Sequence, residues 1–590
     1  MAVPIACACV AVLLATAPDL FLPDTSLGWV DVWYYIGFAL QLPDALRQYS
    51  FVYQADRIGW TLPLYFAQRL FSPLLANYLV KGVFYVTTLS FLCGTLRLTC
   101  RWRTSIFVTV LAGFYCFVVH AIGAGYADGP ASAYFLMALY FSTRALSLDG
   151  RTTEAAAAGV SYAAALFTHS VYIVVLPMFV VYAVALLLHA GTTRRIVIRF
   201  CLWFVVGASI VLLLATGLYV YWRVPGWPFA ASFAQVAKHP TNSLVFPGSG
   251  QWIKDAVWLI LPVVVTGWAT ALVLGALRSG RSALLRLPPA YWLLCSMSGA
   301  WGILYLLNAP WVMLPFYSSY LLVPVFLALG PMVAGAIDQL SASSYRVALA
   351  ALFVVGPVGY RLAQPAAAAP AALLAIALLL VATGYRFASG SRAVPFVAAF
   401  VLGVASINAA GADYAAQIRN GYRQTEMHGV YDDQDSSVAV REWNQARLFR
   451  DVVEASTTLE TRLGQPSPIV RGGLPVWRPR PFYFWYNGND TLGMFFRSVT
   501  STFFAWSTCD LLNEDFAGAD EGAVRESARN QRLRVRDVVI LTRAPKLSFD
   551  GPAFRRRWTL ELTADGVPYY VHYFAYEPSS DADTSTEECD

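Results

Sequence analysis

Charge is scarce in this chain, and carboxylates are scarcest over its longest part. Only 13% of the 590 residues are charged, 57% are hydrophobic, and the mean hydropathy is +0.52. Soluble proteins carry roughly 25% charged residues, so a water-soluble multidomain enzyme is excluded. Ten of the 36 acidic residues lie in residues 1–411: Asp19, Asp24, Asp31, Asp44, Asp56, Asp128, Asp149, Glu154, Asp255 and Asp338. The other 26 fall in residues 412–590. That division reads as a membrane region, 1–411, then a soluble domain, 412–577, then an acidic, serine-rich tail, 578–590, expected to be disordered. The net charge of +6 sits on Arg and Lys between apolar runs. It therefore reports topology, with no nucleic-acid partner implied.

Other absences narrow the chemistry. None of the nine cysteines forms a CxxC pair, and only Cys509 and Cys589 lie in the soluble part, where an oxidising compartment permits them to pair. The six histidines show no HExxH or other chelating spacing, so no metal ligands are assigned. A P-loop, a GxGxxG turn and a GxSxG elbow are all missing. No internal repeat stands out.

What the chain does have is apolar runs of spanning length, about 20 residues each. About 13 are present, near 3–18, 76–96, 104–120, 131–147, 155–169, 170–190, 200–221, 255–277, 289–308, 317–337, 346–360, 369–385 and 393–411. The pair at 155–190 also reads as one re-entrant feature. The first run ends in Ala15-Thr16-Ala17, which is like a signal-peptide cleavage site, but it lacks a basic leader and is read as a retained helix. Basic residues gather in alternate turns: Arg97, Arg101 and Arg103; Arg144 and Arg151; Arg194, Arg195 and Arg199; Arg278, Arg281 and Arg286; Arg346; Arg386 and Arg392. By the positive-inside rule these turns are cytoplasmic. Residues 19–75, the loop at Asp128, the 222–254 loop and the soluble domain are then expected outside. In that domain Arg441–Thr461 has helical periodicity, while Asp537–Thr542 and Tyr569–Phe574 read as strands. The fold class expected is a polytopic α-helical membrane protein with about 13 transmembrane helices and a C-terminal extracytoplasmic α/β or α+β domain.

Two outer carboxylates stand out. Asp31 lies among aromatics in Gly28-Trp-Val-Asp-Val-Trp-Tyr-Tyr-Ile-Gly37. This is either an interfacial anchor with a helix-capping Asp, or a general base with Trp33, Tyr34 and Tyr35 offering aromatic faces to a sugar ring. Asp128 lies in Gly125-Tyr-Ala-Asp-Gly-Pro130, where a helix cap beside Pro130 is the plain alternative.

Together, an Asp after the first span and a Tyr-x-Asp-x-Pro element opening the fourth resemble the glycosyltransferase-C superfamily, in particular its protein O-mannosyltransferase and lipid A aminoarabinose transferase branch. The motif likeness covers about the first 150 residues, and the rest agrees in architecture. The resemblance implies an inverting, membrane-embedded glycosyltransferase at the extracytoplasmic face of a bacterial-type plasma membrane. Its donor would be a polyprenyl-phosphate sugar and its acceptor a lipid, a polysaccharide or a protein. Asp31 would be the catalytic base, with Asp128 and Tyr126 lining the same cavity. Arg57, in Ala55-Asp-Arg-Ile-Gly-Trp60, is the candidate for the donor phosphate, because Arg matches phosphate geometry. Some relatives hold a divalent ion near the second Asp, and the sequence neither requires nor excludes one. Two departures matter. Val32 stands where protein mannosyltransferases have Glu, and Tyr320 in Pro315–Pro324 lacks the Arg that precedes it in many members, leaving Arg223, Lys254 or Arg361 as substitutes. The alternative class, a transporter or flippase of lipid-linked sugars, places ionisable groups at midplane depth. Here seven of the ten membrane-region carboxylates face outward.

Overall fold

Backbone groups in an apolar run have no partner in lipid except one another, so such a run is stable only as a helix. A computed structural model of the chain describes residues 2–22, 30–48, 50, 53–123, 127–147, 151–190, 194–230, 232, 257–306, 319–362, 368–387, 393–411, 445–463, 468–471, 474–477, 482–486, 522, 537–542, 545–546, 553–564 and 566–577. All 13 apolar runs are helical in it. The first is α1 (Ala2–Thr16), followed by a 3-10 turn (Pro18–Phe21). Among the described residues three short elements fill the loop expected outside: α2 (Val30–Leu40), α3 (Leu42–Gln48) and a second 3-10 turn (Tyr53–Asp56) leading into α4 (Ile58–Leu70). Next come α5 (Pro73–Thr99), α6 (Trp102–Gly113), α7 (Cys116–Gly123), α8 (Asp128–Ser147), α9 (Thr152–Leu166), α10 (Tyr172–Ala190) and α11 (Arg194–Tyr221). The region continues as α12 (Ile260–Ser279), α13 (Arg281–Leu285), α14 (Pro289–Leu306), α15 (Leu322–Gln339), α16 (Ala342–Leu362), α17 (Ala368–Phe387) and α18 (Ala393–Gly411).

Helicity is not the same as crossing. Among the described residues five helices are long and apolar enough to span: Pro73–Thr99, Tyr172–His189, Arg194–Tyr221, Val257–Ser279 and Ser319–Gln339. A bent pair makes a sixth, so the count of 13 spans is not reached on this criterion. The difference is physical: α1, with 15 residues, and α9, with 15, are short of the 30 Å core at 1.5 Å per residue. The run at 155–190 resolves into two helices, α9 and α10.

The run at 104–120 forms the bent pair, a broken helix in place of a continuous one. α6 and α7 meet at 61°, and the backbone groups freed at the break find surrogates. The Asn408 side chain, on α18, donates to Phe114 O (2.5 Å) and accepts from Cys116 N (2.9 Å). The hydroxyl of Tyr85 donates to Gly113 O, and that of Tyr115 to Trp258 O. A kink held this way is specified by long-range partners. Asn408→Leu strands two buried backbone groups and is expected to cost about 3 kcal/mol. Thermal unfolding in detergent checks this: Ser406→Ala, on the same helix, should melt like wild type, and wild-type melting of the Asn408→Leu protein would refute the role of Asn408.

Close approach of backbones fixes the neighbouring packing. A Cβ on Gly159 would lie 1.9 Å from Phe204 O, and one on Gly207 would lie 2.0 Å from Ala156 O, so α9 and α11 cross with no room for a side chain. The outward faces of α10 and α11 expose Ile173, Val180, Leu188, Leu202, Val205, Leu213 and Leu214, a surface suited to lipid. The two described carboxylates at the end that the charge pattern marks as inner, Glu154 and Asp338, are ion-paired with Arg144 and Arg151 and with Arg101 respectively.

Among the described residues the C-terminal region supplies one helix, α19 (Gln445–Leu463), and six strands. β1 (Pro468–Arg471) and β2 (Leu474–Trp477) form a hairpin. β3 (Phe482–Tyr486), β4 (Asp537–Thr542), β5 (Phe554–Ala564) and β6 (Val567–Tyr576) form a sheet of order β3-β4-β6-β5, in which only β3 and β4 run parallel. This is an α+β arrangement. α19 has a polar face, while Leu448, Phe449, Val452, Val453 and Leu459 are buried against β5 and the membrane region. Cys509, Cys589 and the tail 578–590 lie outside the described residues.

Candidate functional site

Five segments meet at one end of the helices. Asp128 opens α8, directly after Ala127, and is buried with 3% exposure. Its Oδ1 accepts the hydroxyl of Tyr320 (2.6 Å) and its Oδ2 that of Ser319 (2.8 Å), both in the turn before α15. The Nε2 of His169 lies 3.7 Å from Oδ1, too far for a hydrogen bond. His169 stands in the turn between α9 and α10, and its Nδ1 accepts from Val171 N (3.2 Å). Burial, and then the nearby positive charge of Arg57, hold its imidazole well below its ordinary pKa. The Tyr320 ring is fully buried against His169, Tyr172 and Trp301.

Arg57 bridges this cluster and the first outer loop. It is 6% exposed and donates through Nη1 to Thr168 O (3.1 Å). Its charge acts on Asp128 as well as on His169 and Asp56. Asp56 anchors the segment after α11: Oδ1 accepts from Phe229 N (3.0 Å) and Oδ2 from Ser232 N (2.7 Å). Burial pushes its carboxyl up from the ordinary value, opposed by the Ser232 and Phe229 hydrogen bonds and by Arg57. Among the described residues, neither Asp56 nor Asp128 is within ion-pair distance of Arg or Lys, unlike the two inner carboxylates. Gly59 and Gly129 permit the close fit: a Cβ would lie 2.2 Å from Thr168 Oγ1 at Gly59 and 2.4 Å from Ala121 O at Gly129. Tyr134 of α8 donates to Gly59 O (3.2 Å), tying the helix of Asp128 to that of Arg57.

Asp31 is the second residue of α2, and its side chain lies outside the described residues. Helix α2 itself packs on the Tyr53–Asp56 turn and on α4, which puts its backbone beside Arg57's. Trp33, 1% exposed, sits against Phe449 of α19 (centroids 5.9 Å apart), so the C-terminal region lies on the same side as α2. Tyr35 is buried in the same core, and Tyr34 in a second one with Phe38, Leu42 and Ala45. Tyr126, Lys254 and the side chain of Arg361 lie outside the described residues, and Arg223 is exposed.

Three residues escaped the sequence reading. His169 had no motif around it, and Ser319, directly before Tyr320 in Pro315–Pro324, stands where many members of the resembled family have Arg. Lys81 was legible as a cation within an apolar run but was passed over. About two turns in from the Pro73 end of α5, it is 1% exposed, and its Nζ donates to Phe21 O (2.8 Å), which also accepts from Asn77 (2.8 Å). Among the described residues no carboxylate lies within ion-pair distance of it. A buried ammonium so placed is costly. Also among the described residues, no group of three or more His, Cys, Asp or Glu is placed to hold a metal ion.

No protein-family model matches the chain, and no curated protein matches it. Solved structures do. ArnT from Cupriavidus metallidurans, in its apo state, is similar at a TM-score of 0.43 and 14% identity, over 95% of this chain and 97% of that one. The same protein bound to undecaprenyl phosphate gives 0.39 and 15%, over 92% and 98%. The apo oligosaccharyltransferase of Archaeoglobus fulgidus gives 0.42 and 11%, over 91% and 69%. A likeness at this level assigns neither a family to the chain nor a role to any residue.

Proposed function

We propose that this chain is an integral membrane glycosyltransferase that moves a sugar from a polyprenyl-phosphate donor to a lipid, glycan or protein acceptor on the extracytoplasmic face. The observation that supports it is the gathering of buried polar groups at one end of the helices. Asp128 is seated by Ser319 and Tyr320, and Arg57 stands between it and the helix of Asp31. In this reading Asp31 takes the acceptor proton as the new bond to the sugar C1 forms. The bond from C1 to the phosphate oxygen breaks on the opposite face, which inverts the anomeric centre. The leaving polyprenyl phosphate keeps that electron pair, and Arg57 supplies positive charge for it. Nucleotide sugars are made in the cytosol and do not reach this face.

Two measurements test the proposal. A deletion strain compared with its parent by mass spectrometry of envelope lipids and glycans should lose one sugar modification and accumulate its polyprenyl-phosphate sugar. Purified protein should transfer nothing from nucleotide sugars alone. Transfer from a nucleotide sugar without lipid carrier would sink the donor assignment.

A further inference from the structure

Around Arg57 the buried carboxylates are answered from within the protein. Both oxygens of Asp56 accept backbone N–H groups, and both oxygens of Asp128 accept hydroxyls. The carboxamide of Gln54 is not answered at either end. It is 0% exposed, and neither its Oε1 nor its Nε2 has a hydrogen-bond partner among the described residues. Gln54 sits in the turn Tyr53–Asp56, three residues before Arg57, and its backbone carbonyl accepts Arg57 N (3.1 Å). That turn packs on α2, the helix carrying Asp31.

An unpaired buried carboxamide is expensive at both ends, since the oxygen and the NH2 group each lose water without a replacement. A leucine would fill similar volume at no such cost. The chemistry of the group indicates what would meet it. A carboxamide presents an acceptor and two donors side by side. A phosphate offers acceptors alone and would leave Oε1 unanswered. A hydroxyl both donates and accepts, so a ring bearing adjacent hydroxyls answers both ends at once.

We propose that Gln54 binds hydroxyls of the transferred sugar and so sets which sugar the site accepts. This rests on the donor assigned above: if Arg57 holds the phosphate, the sugar joined to that phosphate lies within reach of the same turn. A site built to hydrogen-bond a hydroxyl discriminates strongly, because a substrate lacking it leaves the protein group unpaired.

The test uses purified full-length protein in nanodiscs, with bare undecaprenyl phosphate and a panel of undecaprenyl-phosphate hexoses and pentoses as competing probes. Wild type is expected to bind its preferred panel member about tenfold more tightly than bare undecaprenyl phosphate, the scale of two net hydrogen bonds. Gln54→Leu, with Gln54→Met as the less branched alternative, should erase that preference while binding bare undecaprenyl phosphate as wild type does. Its melting temperature should hold or rise, because an unpaired polar group has gone. Retention of the sugar preference by both variants overturns the proposal. So does a parallel loss of bare undecaprenyl phosphate binding, which would make Gln54 a residue that shapes the turn. If wild type binds bare undecaprenyl phosphate but prefers no sugar, the sugar role falls and the lipid-phosphate reading survives. If it binds none of the probes, the donor assignment itself falls.

Discussion

Asp31→Asn is expected to lower turnover by about two to four orders of magnitude, the scale of losing a general base, while the protein still inserts and folds. The substitution keeps the shape and a hydrogen-bonding oxygen and removes only the basicity. Position 31 is the second residue of α2, where the cost of losing a negative charge near a helix N-terminus is about 0.3–1 kcal/mol. That is small beside the contacts that fix the helix. Trp33 is held against Phe449, Tyr35 is fully buried, and α2 rests on the Arg57 turn and α4. Stability and turnover should therefore separate, with melting nearly unchanged and transfer almost abolished. Single-turnover transfer measured beside thermal unfolding checks this. Near-normal turnover would reduce Asp31 to a helix-terminal residue at the membrane surface.

The second large effect concerns Asp128, where activity and stability should fall together, in proportions set by the substitution. Asp128→Asn keeps one acceptor oxygen. The new NH2 group faces a hydroxyl, which can rotate to accept, so the seat formed by Ser319 and Tyr320 survives. The lost negative charge removes one of the fields that act on Arg57 and so disturbs how it is placed. We expect turnover down by about one to two orders of magnitude and a modest fall in melting temperature. Asp128→Ala leaves two buried hydroxyls without their acceptor and should cost a further 2–4 kcal/mol or so. Comparing kcat, KM and melting for both variants tests the assignment. An Asp128→Ala protein as stable and as active as wild type would refute it.

The sequence by itself determined most of the described elements. Every apolar run became a helix, and the runs 537–542 and 569–574 became β4 and part of β6. These features depend on periodicity and composition among adjacent residues, and on the energetic isolation of backbone groups in lipid. The number of crossings did not follow, because helix length and tilt against the bilayer depend on neighbours. Of the candidate site, Asp31, Asp128, Arg57 and Tyr320 were nameable from local motifs. Their arrangement was not. Tyr320 meets Asp128 across 192 positions, Arg57 meets Thr168 across 111, and Asn408 bridges the break at Phe114 across 294. Nor did composition say that Lys81 would turn inward onto the carbonyl of Phe21 instead of snorkelling to the headgroups. Such contacts are set by how each helix is rotated about its axis and where glycines such as Gly159 and Gly207 let backbones touch. A local pattern gives a helix its apolar length; which of its polar residues face one another is decided only when all the helices have packed.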